Sequence, residues 1–164
     1  MIKKLLFFVL CFPIWVHAMT CEKVEDGYLI RLFPGEELVS SLTEFAAKEN
    51  IPSCTLMAIG AVDEVELGYF QSKKKTYKRR TFKEELEVIS LLGNFSYIDG
   101  KKPFFHIHGV FGTSTFEALV GHVFSARVSV TLEAHLTVFS KKVSRTHDPQ
   151  FDLNLLKLEG CPHH

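Results

Sequence analysis

The 164-residue sequence lacks the motifs that announce most enzyme chemistry. It has no glycine-rich phosphate loop and no Gly-x-Ser-x-Gly elbow, so neither a nucleotide cradle nor a hydrolase nucleophile is signalled. Its four cysteines contain no Cys-x-x-Cys pair, which argues against a zinc ribbon or a thioredoxin-like redox site. No apolar run reaches the ~20 residues a membrane-spanning helix needs. The longest, Leu5 to Val16, follows the basic pair Lys3 and Lys4 and leads to Val16 and Ala18 at the small positions of a cleavage site. That order reads as a signal peptide over residues 1–18, with a secreted or periplasmic chain from residue 19 to 164. Translation starting at Met19 would instead give a cytoplasmic protein.

Charge of one sign is lacking too. Removing residues 1–18 takes two lysines from the 19 basic side chains, leaving 17 against 19 acidic ones and a net charge of −2. That balance does not suggest a dedicated polyanion binder. Cys21, Cys54 and Cys161 survive the cut, an odd number that leaves one thiol unpaired or bridging two subunits. Cys54–Cys161 is the expected intramolecular pair.

What is present is a core-forming, aromatic chain. Hydrophobic residues make up 46% and charged ones 23%, a globular balance, and fifteen phenylalanines favour strands. No repeat or low-complexity linker divides residues 19–164, so one domain is expected. Gly27 to Phe33 reads as a strand broken by Pro34-Gly35. A helix follows, with Leu38, Leu42, Phe45 and Ala46 on one face and Glu36 and Glu37 in the first turn. Asn50 and Pro52 stop it. From there the pattern is strands: 54–62, 64–71, 84–95, 103–112, 116–124 and 126–139. In the last, Val128, Val130, Leu132, Ala134, Leu136 and Val138 alternate with polar residues. One helix and six or seven strands predict an α+β domain with a largely antiparallel sheet.

Three histidines interrupt apolar strands. His106 and His108 are two residues apart and therefore share a face. His122 follows on the next strand, after a short connection. Such a set is either a group of satisfied core histidines or a ligand trio. Three neutral imidazoles suit zinc and leave its fourth position open to water or substrate. His135 and His147 read as ordinary strand or surface histidines, and His163 and His164 as a terminal pair.

The run from Tyr28 to about Phe139 resembles the plants-and-prokaryotes-conserved (PPC) domain. The resemblance is carried, in order, by "GYLIRLFPGEELVSSLTEFAAKENIPSCTLMAIGAVDEVELGYF", Tyr77, "EVISLLGNF", "HIHG", "GH" and "VSVTLEAHL". It implies a compact α+β fold, similar to that of acetolactate decarboxylase, and assembly as a homotrimer. It also implies a zinc or other divalent transition-metal site on His106, His108 and His122, with an unidentified small-molecule ligand. Two departures stand out: Val120 replaces the first of the family's two glycines before the third histidine, and Gly109 replaces the usual alanine after the second. Val120 is expected to tighten the backbone beside the site.

Glu87 matches the family's motif glutamate, and Glu133 stands at the corresponding place in "VTLEAHL". Near an open metal position either could serve as general acid or base, as in a zinc lyase or hydrolase; otherwise both are exposed or salt-bridged glutamates. The basic stretch 72–83, with Lys73, Lys74, Lys75, Lys78, Arg79, Arg80 and Lys83, reads as a solvated hairpin edge. The alternative is a DNA-binding or other polyanion-binding surface. The sequence has no AT-hook, the Arg-Gly-Arg-Pro core that plant relatives use for DNA.

Overall fold

The computed structural model describes residues 19–160. The expected leader, Cys161 with its bridge to Cys54, His163 and His164 lie outside them. Among the described residues, one helix and nine strands form a single, almost wholly antiparallel sheet, as the sequence pattern implied. The strands are β1 (Thr20–Val24), β2 (Gly27–Leu32), β3 (Ser53–Gln71), β4 (Thr76–Phe82) and β5 (Leu86–Ile98). They continue with β6 (Lys102–Gly112), β7 (Ala118–Phe139), β8 (Ser144–Asp148) and β9 (Leu153–Lys157). The helix, α1, spans Leu38–Lys48.

Two expected strand pairs fuse. Residues 54–62 and 64–71 become the 19-residue β3, and 116–124 and 126–139 become the 22-residue β7. No proline or turn pair separates their halves, so bulges bend the chain instead of ending it. Long strands can pair differently at their two ends. β3 pairs with β5, β5 with β6, β6 with the start of β7, and β7 with β3, which closes a ring. Ring closure hides strand edges that would otherwise recruit other chains.

The bulge between β3 and β7 also corrects one alternation. Gly60 faces Leu132 and Val62 faces Val128, so Ser129 to Thr131 are accommodated opposite Ala61 alone. Val130 is thereby turned outward and is 64% exposed, while Val128, Leu132, Ala134 and Leu136 stay buried. Gly60, at φ +152°, permits this: a Cβ there would strike the Thr131 carbonyl oxygen.

The helix forms where its apolar spacing required. Leu38, Leu42, Phe45 and Ala46 are buried in the common core, and α1 packs on β6 and β7. Glu37 is the N-cap rather than a first-turn residue, and its carboxylate accepts from Val39 N (3.1 Å), Ser40 N (2.7 Å) and Ala126 N (3.0 Å). One side chain thus satisfies two open helix amides and ties α1 to the bend of β7. Glu36 accepts from the Met19 and Phe33 amides and pins the entry to the helix.

Candidate metal centre

The ring geometry assembles the three histidines. His106 and His108 lie on β6, and His108 is the cross-strand partner of His122 on β7. Their ligand atoms lie within 4.8 Å of one another. Nε2 of His106 is 3.1 Å from Nε2 of His108. Zinc–nitrogen bonds of about 2.0–2.1 Å set ligand nitrogens somewhat over 3 Å apart, so a small contraction completes such a set.

His122 carries the chemical signal. It is 8% exposed, and its buried Nδ1 has no hydrogen-bond partner among the described residues. An orphaned buried nitrogen of this kind is costly unless something binds it. Burial first, then Arg145 and His108, push His106 down to about 4. Burial, with His106, His108, Arg79 and Arg145, pushes His122 to a similar value. Both imidazoles are therefore neutral near pH 7, the form that donates a lone pair to a metal.

Aromatic rings wall His122. The Tyr77 ring lies 5.1 Å and the Phe124 ring 4.6 Å from the His122 ring, centre to centre. Phe124 in turn carries the Arg79 guanidinium, 3.5 Å above its ring centre. The site has room for both rings because Gly68, opposite His122, has no side chain. Val120, expected to crowd the backbone here, instead pairs with Val110 and is exposed.

Beside the trio lies a cavity of about 350 Å³. His106, His122, Tyr77 and Arg79 line it, and so does Arg145 on β8. Arg145 is 3% exposed. Its Nε donates to Ser96 Oγ (2.8 Å), Nη1 to the Asn154 carbonyl (2.9 Å) and Nη2 to Asn94 Oδ1 (2.6 Å). Sequence reading passed over Arg145 and its partners. Their only trace is polar residues in an apolar strand: Asn94 and Ser96 on β5 face His106 and Phe104 on β6.

The two glutamates do not join the trio within one chain. Glu87 pairs with Gly112, four residues beyond His108 on β6 and roughly 13 Å along it. Glu133 pairs with Ile59 and Arg31, and β3 and β5 stand between it and β6, a separation of roughly 14 Å across the sheet. Glu133 lines a separate outer groove of about 760 Å³ with Leu29, Met57, Ile59, Leu92 and His135.

The basic stretch folds as a turn and strand β4 on the far end of β3. Arg79 lies 3.6 Å from Glu66 and Lys83 3.3 Å from Glu64, so part of its charge is locally neutralised.

A ring of antiparallel strands holding three imidazoles on its outer face defines an α+β domain with a candidate metal centre. The chain belongs to the Plants and Prokaryotes Conserved (PCC) domain family, whose sequence profile matches residues 19–140. A metal-containing protein from Archaeoglobus fulgidus is 35% identical, with a TM-score of 0.74 over 87% of this chain and 99% of that one. A candidate DNA-binding protein from Bacteroides thetaiotaomicron is 30% identical, with a TM-score of 0.82 over 86% and 98%. A plant- and prokaryote-conserved protein from Pyrococcus horikoshii is 29% identical, with a TM-score of 0.74 over 87% and 96%. No curated protein matches the chain significantly.

Proposed function

We propose that this is a metal-binding PPC-domain protein in which His106, His108 and His122 hold a divalent transition metal, zinc by their chemistry. The observation that carries the reading is the cluster of three histidines whose ligand atoms lie within 4.8 Å of one another, with the buried His122 Nδ1 unpartnered among the described residues. The metal-containing relative supports it. When bound, such an ion acidifies a coordinated water and polarises a carbonyl, chemistry that suits a small-molecule lyase or hydrolase. The chain's own residues hold the His106 and His122 imidazoles neutral, wall His122 with Tyr77 and Phe124, and open on one side to the 350 Å³ cavity. An acid–base role for Glu87 or Glu133 requires delivery from a neighbouring copy, and Glu133, in the outer groove, is the better placed.

Assembly as a homotrimer through the outer face, and export directed by residues 1–18, complete the proposal. Among the described residues no helix is long and apolar enough to cross a membrane.

Elemental analysis tests the metal. About one zinc per chain, lost in the His106/His108/His122→Ala variant, is expected. Absence of stoichiometric metal from the unsubstituted protein would return the histidines to a structural role. A second reading, polyanion binding at residues 72–83, is favoured by the exposed Lys73, Lys74, Lys75, Lys78 and Arg80 and by the Bacteroides relative. Retarded migration of duplex DNA at physiological salt, abolished by neutralising those five residues, would support it.

A further inference from the structure

Arg145 is a buried cation that has no anionic partner among the described residues. Among the described residues no carboxylate forms an ion pair with it, and its three hydrogen bonds all go to neutral oxygens. A guanidinium has five N–H groups, so one on each terminal nitrogen is left over. Its guanidinium lies over the Phe104 ring, 5.3 Å from the ring centre, which offsets part of the cost of burying the charge, but no anion does.

Arg145 shares the cavity with His106 and His122. Asn94, which fixes its Nη2, is also the cross-strand partner of His106, so one residue sets the guanidinium against the trio. Arg79 adds a second positive group at the cavity wall. Among the described residues Asp152 is the one acidic residue in the lining; it is solvent-exposed and lies 3.7 Å from His147. The rest of the wall is largely apolar, with Phe104, Phe105, Phe124 and Leu153.

We propose that this cavity binds a small organic carboxylate, with Arg145 as the residue that recognises its carboxylate and the histidine trio beside the ligand's other end. Two spare N–H groups match the two oxygens of a carboxylate. The apolar wall suits a carbon skeleton rather than inorganic phosphate. The volume is at the small end of ligand pockets, which run from about 300 to 1,000 Å³. Arg145 lies past residue 140, where the family match ends. The assignment rests on the metal reading of the trio and adds to it the class of ligand.

Calorimetric titration of the purified, zinc-loaded protein tests it, with pyruvate as the carboxylate probe, pyruvamide as its neutral counterpart and inorganic phosphate as competitor. Pyruvate is expected to bind, and pyruvamide to bind about tenfold or more weakly. Arg145→Lys keeps the charge but loses the planar fork, and should weaken pyruvate by about tenfold with zinc content unchanged. Equal binding of acid and amide by the unsubstituted protein would overturn the assignment, whether or not the variant folds. So would phosphate binding tighter than pyruvate, or affinity unchanged in Arg145→Lys. Protein that takes up no zinc yet binds pyruvate through Arg145 would sink the metal reading alone. Protein that holds zinc but does not distinguish acid from amide would sink this one alone.

Discussion

Asn94 on β5 faces His106 on β6 across the sheet, and the same Asn94 accepts a 2.6 Å hydrogen bond from Arg145 on β8. The candidate metal centre and the buried arginine are thus registered by one side chain. That register binds the C-terminal hairpin, β8 and β9, to the centre of the molecule, and it makes the behaviour of the site depend on several elements at once.

The first prediction concerns pH. Burial and neighbouring positive groups bring His106 and His122 from 6.5 to about 4. Between those values the unfolded chain binds more protons than the folded one, so stability rises with pH through the window and levels off above it. For the well-buried His122 the effect is on the order of 3 kcal/mol. Urea denaturation of metal-free protein from pH 4 to 7.5 should show the rise. A His106→Gln/His122→Gln double variant should flatten it; equal slopes in both proteins would show that the imidazoles are solvated.

A second prediction follows from Gly68. A Cβ at this position would strike Phe124 Cε2 and lie 2.8 Å from Tyr77 Cδ1, the two rings that wall His122. Gly68→Ala should therefore cost about 1–3 kcal/mol by overpacking and weaken metal retention. Thermal denaturation and a chelator competition measure the two effects separately. A variant that melts normally and holds metal normally would mean that the rings shift without engaging the site.

Most of the scaffold was legible in the sequence because it depends on local periodicity. Leu38, Leu42, Phe45 and Ala46 predicted a helix face, and His106 and His108 a shared strand face, from spacing alone. Val130 was misplaced because a bulge is specified by a partner strand, here at Gly60, and leaves no period in its own. Glu87 and Glu133 were grouped with the histidines by motif order, which carries no cross-sheet distance. Arg145 was invisible for the converse reason: it reaches the cavity through residues about fifty positions away, Asn94 and Ser96.

The thiols should differ sharply. Cys54 is buried between β5 and β7, and burial pushes its thiol up to about 12, so almost none is thiolate at neutral pH. Cys21 is exposed on β1. In a chain beginning at Met19 and carrying Cys161→Ser, a thiol-specific chromogenic reagent should titrate one cysteine promptly and the second only after denaturant is added. Prompt reaction of both would mean that β3 opens readily in the native state.

The last prediction addresses the outer face. Cross-strand pairing sets Leu29, His135, Met57, Leu92, His108 and His122 in one row, so the row that lines the separate apolar groove continues past Leu92 to His108 and His122. Met57 is 57% and Leu92 59% exposed, with Leu29 and Ile59 exposed beside them. Apolar side chains gathered on one sheet face are a docking surface in a folded protein, and the proposed trimer is the occupant that would cover them. Light scattering should give the mass of three chains for the unsubstituted protein and of one for Met57→Glu/Leu92→Glu, because carboxylates cannot be buried there without partners. If the variant also loses zinc, the neighbouring copy helps hold His108 in place; if it keeps zinc as a monomer, the site is complete within one chain. A single-chain mass for the unsubstituted protein would remove the trimer, and with it any route by which Glu133 could reach a metal.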